Sequence, residues 1–415
     1  MISFLGILIG CALACMGLWM GWQSAQKSPI RAFFWPGLCL KVAAGWLLGG
    51  LYARYLGGGD SWVYFAEAER LRLLALSDGW AYLDLLFSPR YTVFESGAER
   101  SYYAIHWMSL WHLGSGGSYW LTSAYLSALS FSGLWVCADA MAHRTWMPAR
   151  WVGVAFLGMP SVVFWSSGWG KEGIVWFFMG WMIALVLRLQ DRRPVGFWAG
   201  LIAIFGLWMV WKIKYYYLAA LLPALLTYAC AQRLRLVWGW QLLFYVLLLG
   251  LATRLHWNLH PSHLLEAIFE SHHQIAAHTS AHNRTLILPL HPSLDTFLIA
   301  LPKALCASLL RPFPWEDGHV LKALSGAEVL GLLLWAACGL RKRASNKITA
   351  AVSRAILALV LYVLPLALIL PLAAPNIGSL VRYRVSFWPF WVLLLLALGA
   401  RCLPREKRPA PRSGR

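Results

Sequence analysis

Apolar residues along this chain come in runs, and polar residues collect between them. The runs fall near 2–21, 33–56, 118–140, 151–167, 172–190, 195–211, 215–231, 236–253, 324–340, 350–373 and 385–400. About 20 apolar residues in a helix cross a hydrocarbon core of roughly 30 Å, because the helix rises only about 1.5 Å per residue. The pattern therefore predicts an all-α polytopic membrane protein with about eleven transmembrane helices, since a spanning helix satisfies its own backbone in lipid. Two intervals are long, about 57–117 and about 254–322. They are expected to be outer loops carrying membrane-surface helices, with Trp62–Leu74 and Tyr102–Leu113 as amphipathic stretches of the first. Phe297 to Leu310 is apolar but short and interrupted by Pro302-Lys303. It reads as an interfacial or re-entrant helix, because a span here would move Arg341-Lys342-Arg343 to the far side.

Composition agrees. Hydrophobic residues make up 60% of the 415 and charged residues only 13%, too few to cover a soluble surface of this size. The 26 Trp and 16 Tyr suit rings at headgroup level. A net charge of +19 invites a nucleic-acid reading, but no recognition helix, phosphate loop or aromatic RNA platform accompanies it. Sidedness explains the charge better. When connections alternate between the two sides, one side receives Lys27, Arg31, Arg144, Arg150, Arg188, Arg192, Arg193, Arg233 and Arg235, then Arg341, Lys342, Arg343, Lys347 and the basic tail. That side holds nineteen basic residues against three acids, and the other holds fifteen against fourteen. The positive-inside rule makes the first side cytoplasmic, with the N-terminus outside and the C-terminus inside. Localisation in a bacterial inner (plasma) membrane is the expectation.

Residues 1–403 read as one transmembrane domain, without an internal repeat, and 404–415 as a disordered basic cytoplasmic tail drawn to anionic lipid. No basic residue precedes the first apolar run, so it reads as a retained helix and not a cleaved signal. The eight cysteines are scattered through apolar runs without a CxxC pair and read as small buried side chains.

Three short motifs carry candidate chemistry. Gly57-Gly58-Gly59-Asp60-Ser61-Trp62-Val63-Tyr64 follows the second run. Its glycines allow a tight turn, and Asp60 suits a general base at the mouth of the bundle and, compatibly, the N-cap of a helix from Ser61. Ser166-Ser167-Gly168-Trp169-Gly170-Lys171-Glu172-Gly173 is a short outer turn. Lys171 suits a phosphate, and Glu172 either pairs with it or assists proton transfer; solvated, snorkelling side chains are the alternative. Asn376-Ile377-Gly378-Ser379-Leu380-Val381-Arg382-Tyr383-Arg384 places two arginines outside, against the charge bias. Guanidinium groups match phosphate geometry, whether of a ligand or of lipid headgroups.

Lys212 and Lys214 beside Tyr215-Tyr216-Tyr217 repeat this pattern more weakly. Arg311 with Glu316-Asp317 is a further candidate constellation, and Lys41 is an intramembrane charge without an obvious partner. Among the histidines of the second loop, His260 with His263 and His278 with His282 have helix-face spacing for a metal, but no carboxylate or cysteine completes a zinc pattern. No metal ligand is assigned, and a divalent metal stays open as a cofactor.

Taken together these features resemble the GT-C class of membrane glycosyltransferases, the superfamily of protein mannosyltransferases and of the aminoarabinose transferases that modify lipid A. The resemblance implies a catalytic acid in the first large outer loop, where Asp60 stands, and a second charged position in the next outer turn, where Lys171 and Glu172 stand. It implies donor-phosphate contacts from Lys171, Arg382 and Arg384; Tyr64 and Arg311 are further candidate binding residues from the motifs above. An extra helix precedes the key loop here, and Asp60 is followed by Ser61 where some members have paired acids. The implied partners are a polyprenyl-phosphate-linked sugar, membrane lipid, and a glycan, lipid or protein acceptor, with no nucleic acid. Two other classes share parts of the pattern: an O-antigen or exopolysaccharide polymerase acting on lipid-linked repeats, and a lipid-linked-sugar transporter. A transporter is expected to show interrupted helices at related positions in two halves, and none is visible.

Overall fold

The computed structural model describes residues 2–55, 57–87, 99–144, 147–280, 283–285, 290–316, 320–340 and 349–400. The basic stretch 341–348, Asp317, His282 and the tail 401–415 lie outside the described residues, so the expectations placed on them are left as they stand. Among the described residues every element is helical apart from a single bridge between Arg284 and Asn376. The helices are α1 (Ile2–Ala25), α2 (Phe34–Tyr55), α3 (Gly59–Ser77), α4 (Gly79–Phe87), α5 (Glu99–Leu113), α6 (Tyr119–Ala142), α7 (Ala149–Gly153), α8 (Pro160–Trp165) and α9 (Lys171–Gln190). They continue as α10 (Phe197–Leu234), α11 (Trp238–Ala252), α12 (Leu264–Ala277), α13 (Leu294–Leu310), α14 (Val320–Leu340), α15 (Ala350–Ala373), α16 (Ile377–Tyr383) and α17 (Trp388–Ala400).

All the predicted apolar runs are helical, but their lengths separate them. Seven described helices are long and apolar enough to cross a membrane, or eight if the bent pair Ile377–Ser386 and Trp388–Gly399 counts as one span. Counted by length and apolarity the expected eleven is not confirmed, for local reasons. The 151–167 run is broken by a π-turn at Val154–Gly158 and by Pro160 at the start of α8. Runs 195–211 and 215–231 form one 38-residue element, interrupted only at Lys214, whose φ of −148° and ψ of 63° are not helical. Helix α11 has only 15 residues. Large apolar side chains such as Leu8, Leu47, Ile204, Leu247 and Leu334 remain exposed on the outer surfaces of the bundle. A soluble monomer rarely tolerates that much uncovered apolar surface; this is an integral membrane protein.

The centre of the bundle is α6 packed on α9. Gly133 and Gly180 stand at the crossing, where a Cβ on either would run into the partner backbone. Small residues let helices approach closely where lipid offers no hydrophobic drive. Both arms of α10 line α9: Gly206 lies against Phe178, while Leu221 and Leu225 share a cavity lining with Ile183 and Leu187.

The first long interval holds α3, α4 and α5, as its amphipathic stretches suggest. Helix α5 is more deeply covered than a membrane-surface helix would be, with Tyr102, Ile105, His106, Met108 and His112 all buried. A polar network ties it down: His112 Nε2 lies 2.8 Å from Glu69 Oε2, and Arg72 donates twice to the same carboxylate at 2.6 Å. These donors, Arg72 first, hold the Glu69 carboxyl below the usual carboxylate range. In the second interval α13 packs on α15 through Phe297, Ala300, Ala304 and Ala307, a three-and-four spacing. With 17 residues it is one helix through Pro302, and its Leu294, Leu298 and Ile299 are exposed.

Lys41 has partners that its position in the sequence conceals. Its Nζ donates to Ser130 Oγ at 2.9 Å, and to the carbonyl and Oγ of Ser166 at 2.6 Å each. Lys41 thereby holds the turn that leads to Lys171 and Glu172. Lys41→Met should leave that carbonyl without its donor and lower stability by about 1–3 kcal/mol. Thermal unfolding in detergent reads this, and an unchanged Tm would show that the turn is held otherwise.

Candidate functional site

The chain leaves α2 through Gly57, Gly58 and Gly59, whose φ angles are 61°, 87° and 46°. Three successive residues in the left-handed region need glycine. The turn delivers α3, which starts at Gly59, so Asp60 lies in its first turn and the N-cap is Gly58, without a side-chain cap. The capping role for Asp60 is therefore set aside. Its half-exposed carboxylate accepts instead from Arg382 Nη1 at 2.8 Å.

Glu172 opens α9 and is 5% exposed. Its Oε1 lies 3.5 Å from Lys214 Nζ and 3.6 Å from Arg382 Nε. The expected pairing with its neighbour Lys171 does not form, because successive residues on a helix point about 100° apart. Lys171 turns the other way, donating to Ser101 Oγ at 2.8 Å with its ammonium 5.3 Å from the Tyr64 ring centre. Tyr64 is buried, and burial pushes its phenol well above the ordinary range, so it is present as a neutral hydroxyl.

Lys214 sits at the break in α10, with its ammonium 3.9 Å from the Tyr383 ring centre. Arg382 is carried by α16, whose first turn is capped by the Asn376 side chain accepting from Ser379 N at 3.0 Å. The second long interval pins this helix start, since Thr285 N donates to Pro375 O at 2.9 Å. Tyr217 and Trp176 then fix the following break by donating to the carbonyls of Tyr383 and Val385 at 2.7 and 2.9 Å.

Asp60, Tyr64, Lys171, Glu172, Lys214 and Arg382 thus line one cavity of about 80 Å³, together with Tyr52, Trp165, Trp169 and Tyr383. Four chain-distant regions converge there: the junction of α2 and α3, the turn from α8 to α9, the break in α10 and the end of α16. Three cations face two carboxylates, so the cavity carries an excess positive charge at neutral pH. Tyr52, Trp165 and Arg382 also line an adjoining groove of about 580 Å³, mostly apolar, with Leu51, Tyr55, Val320, Leu321, Ile377 and Val381.

Two expected members are elsewhere. Arg384 is fully buried, donating to the carbonyl of Arg311 at 2.5 Å and to Ser325 Oγ at 3.0 Å, with its guanidinium 3.8 Å from the Trp388 ring centre. Residues two apart on a helical turn face nearly opposite sides, so Arg382 and Arg384 cannot share a site. Arg311 makes a two-pronged pair with Glu316, at 2.7 and 3.0 Å. Both arginines brace the floor behind the apolar groove and do not line the charged cavity.

Lys214 had only a weak signal, a lysine between apolar runs, and Tyr52 had none beyond its place one turn before the glycines. Among the described residues no group of three or more His, Cys, Asp or Glu is placed to hold a metal. His260 is bonded to Ser262, and His263 stacks on Trp257 at 3.7 Å. In the cavity both carboxylates already face Arg382, and a divalent cation would add to an existing positive excess. The donor set does not fit one.

The fold and site define a polytopic helical membrane protein with a charged cavity beside an apolar groove. No family model matches the chain, and neither a curated protein nor a solved structure does.

Proposed function

We propose that the protein is a glycosyltransferase of the GT-C kind, moving a sugar from a polyprenyl-phosphate donor to an envelope glycan, lipid or protein acceptor. The observation that carries this reading is the junction at Arg382. One guanidinium borders both a charged cavity and an apolar groove, which is the arrangement an anionic headgroup with a long apolar tail requires. The tail lies in the groove, and the phosphate meets Arg382, with Lys171 and Lys214 supplying further positive charge.

In the reaction an acceptor hydroxyl oxygen attacks the anomeric carbon from the face opposite the phosphate. The carbon–oxygen bond to phosphate breaks with its electron pair going to the phosphate, and the hydroxyl proton passes to Asp60. Products are the inverted glycoside and polyprenyl phosphate. Arg382 and its neighbouring cations stabilise the charge building on the departing oxygen. Glu172 holds Lys214 and Arg382 in place. Because Arg382 bonds Asp60 in the free protein, a bound phosphate competes for the guanidinium and releases the carboxylate to act as base.

The topology consistent with this reading has eleven crossings, with α10 reversing at Lys214 and the cavity on the outer face of a bacterial inner membrane. In this reading the other end of α9, where Arg144 pairs with Asp191 and Arg188 with Asp139, faces the cytoplasm. Asp60→Asn should lower transfer by ~10²–10⁴, the usual contribution of a general base, while the variant still binds polyprenyl phosphate. Transfer of labelled monosaccharide by purified protein measures this, and full activity in the variant would remove Asp60 from the role.

A further inference from the structure

Lys171 lines both the charged cavity and another opening, of about 530 Å³, which Arg382 does not line. We propose that this opening is a saccharide-binding site and that it seats the acceptor; the second half of that statement rests on the transferase reading above, the first does not.

The opening has two unlike walls. One is an aromatic ledge: His256 stacks on Tyr215 with ring centres 3.6 Å apart and planes within 14°, and Trp211 meets His256 edge-on at 5.7 Å. The amide of Asn258 donates to Tyr215 Oη at 3.3 Å and its backbone N–H donates to His256 Nδ1 at 3.1 Å, so the ledge is held rigid. The other wall is α12. Ala267, Glu270, Ser271 and Gln274 line the opening at spacings of three, four and seven, which is one face of a helix. A different face carries Ile268 and His272, both buried, and His272 Nδ1 donates to Leu372 O at 2.7 Å. The helix is therefore docked by one side and presents a carboxylate, a hydroxyl and an amide on another.

A pyranose has apolar C–H faces and a rim of hydroxyls. Flat aromatic groups match the faces, and Glu270 and Gln274, with two acceptors and with one acceptor and one amide, match paired hydroxyls. The polar lining exceeds what an acyl chain would accept, and the volume falls within the ~300–1,000 Å³ of small-ligand sites. Position supplies the remaining argument. The apolar groove joins the charged cavity through Arg382, and the saccharide opening joins it through Lys171. A nucleophile arriving past Lys171 and a phosphate held at Arg382 would then enter the cavity by separate openings.

The test uses the full chain in detergent micelles on a printed array of defined oligosaccharides. Retained sugars are then titrated free, by saturation-transfer NMR, against wild type, Trp211→Ala, and the double variant Glu270→Gln with Gln274→Ala. Both α12 positions are exposed, so the double variant keeps the wild-type Tm. The expected result is one or a few retained saccharides whose affinity falls about tenfold in the double variant and more in Trp211→Ala, with no change in Asp60→Asn. No retained saccharide, or undiminished binding in the double variant, overturns the site. Retention without glycosyl transfer keeps the site and removes the transferase reading; transfer that persists at wild-type KM for acceptor in the double variant keeps the transferase and removes the acceptor role from the site.

Discussion

Arg382→Ala is expected to reduce glycosyl transfer by ~10²–10³, the cost of deleting one preorganised donor aimed at developing charge, without unfolding the protein. The geometry separates these consequences. Removing the guanidinium leaves Asp60 without its partner, but Asp60 is half-exposed and water takes over. Glu172 keeps Lys214 at 3.5 Å. The fold loses little, whereas the only guanidinium among the described residues lining both the cavity and the apolar groove is gone. Affinity for polyprenyl phosphate should fall with activity. Arg382→Lys should recover part of the binding but little of the rate, because an ammonium cannot face Asp60, Glu172 and a phosphate at once. Measured transfer with labelled donor, beside donor binding, checks both. An Arg382→Ala protein with wild-type transfer would end the proposed mechanism.

Glu172→Ala should act in the opposite way, on stability first. The Glu172 carboxylate is buried and lies within 4 Å of two cations, one of them the buried Lys214. Deleting one partner of a buried pair while the other stays buried costs about 3–5 kcal/mol. Here the rings of Tyr383, Tyr217 and Tyr216, at 3.9, 5.4 and 5.7 Å from the Lys214 ammonium, offset part of that. The remaining loss should appear as a clear drop in the midpoint of thermal aggregation. Lys214→Met combined with Glu172→Ala should restore much of it, since the unpaired charge is then absent. If the single Glu172→Ala variant melts like wild type, Lys214 is not held by this carboxylate.

The two results together separate a residue that holds the site from one that meets the ligand. From the sequence Glu172 either pairs with Lys171 or assists proton transfer. Its burial between Lys214 and Arg382, and the 5% exposure of the residue, make it the strut of the cavity. Asp60, half-exposed at the rim, is the carboxylate that solvent reaches.

Membrane residence, helical class and the positions of the elements follow from the chain alone, because lipid demands long apolar helices with satisfied backbones, and their length is a local property. The glycine turn before Asp60, the short turn before Lys171 and the arginines after Asn376 were visible for a similar reason: charge beside apolar sequence stands out. What the residue order could not decide was which of these charges meet. Arg382 and Arg384 look alike two positions apart, yet helical geometry turns one to the cavity and the other onto Trp388 and the Arg311 carbonyl. Lys41 seemed unpartnered because its serines lie 89 and 125 residues away. The number of long spans likewise depended on the π-turn and the break at Lys214, which are outcomes of packing. Which surfaces close around Arg382, and which open past Lys171, is set by contacts between segments far apart in the chain, and only the tertiary structure brings them together.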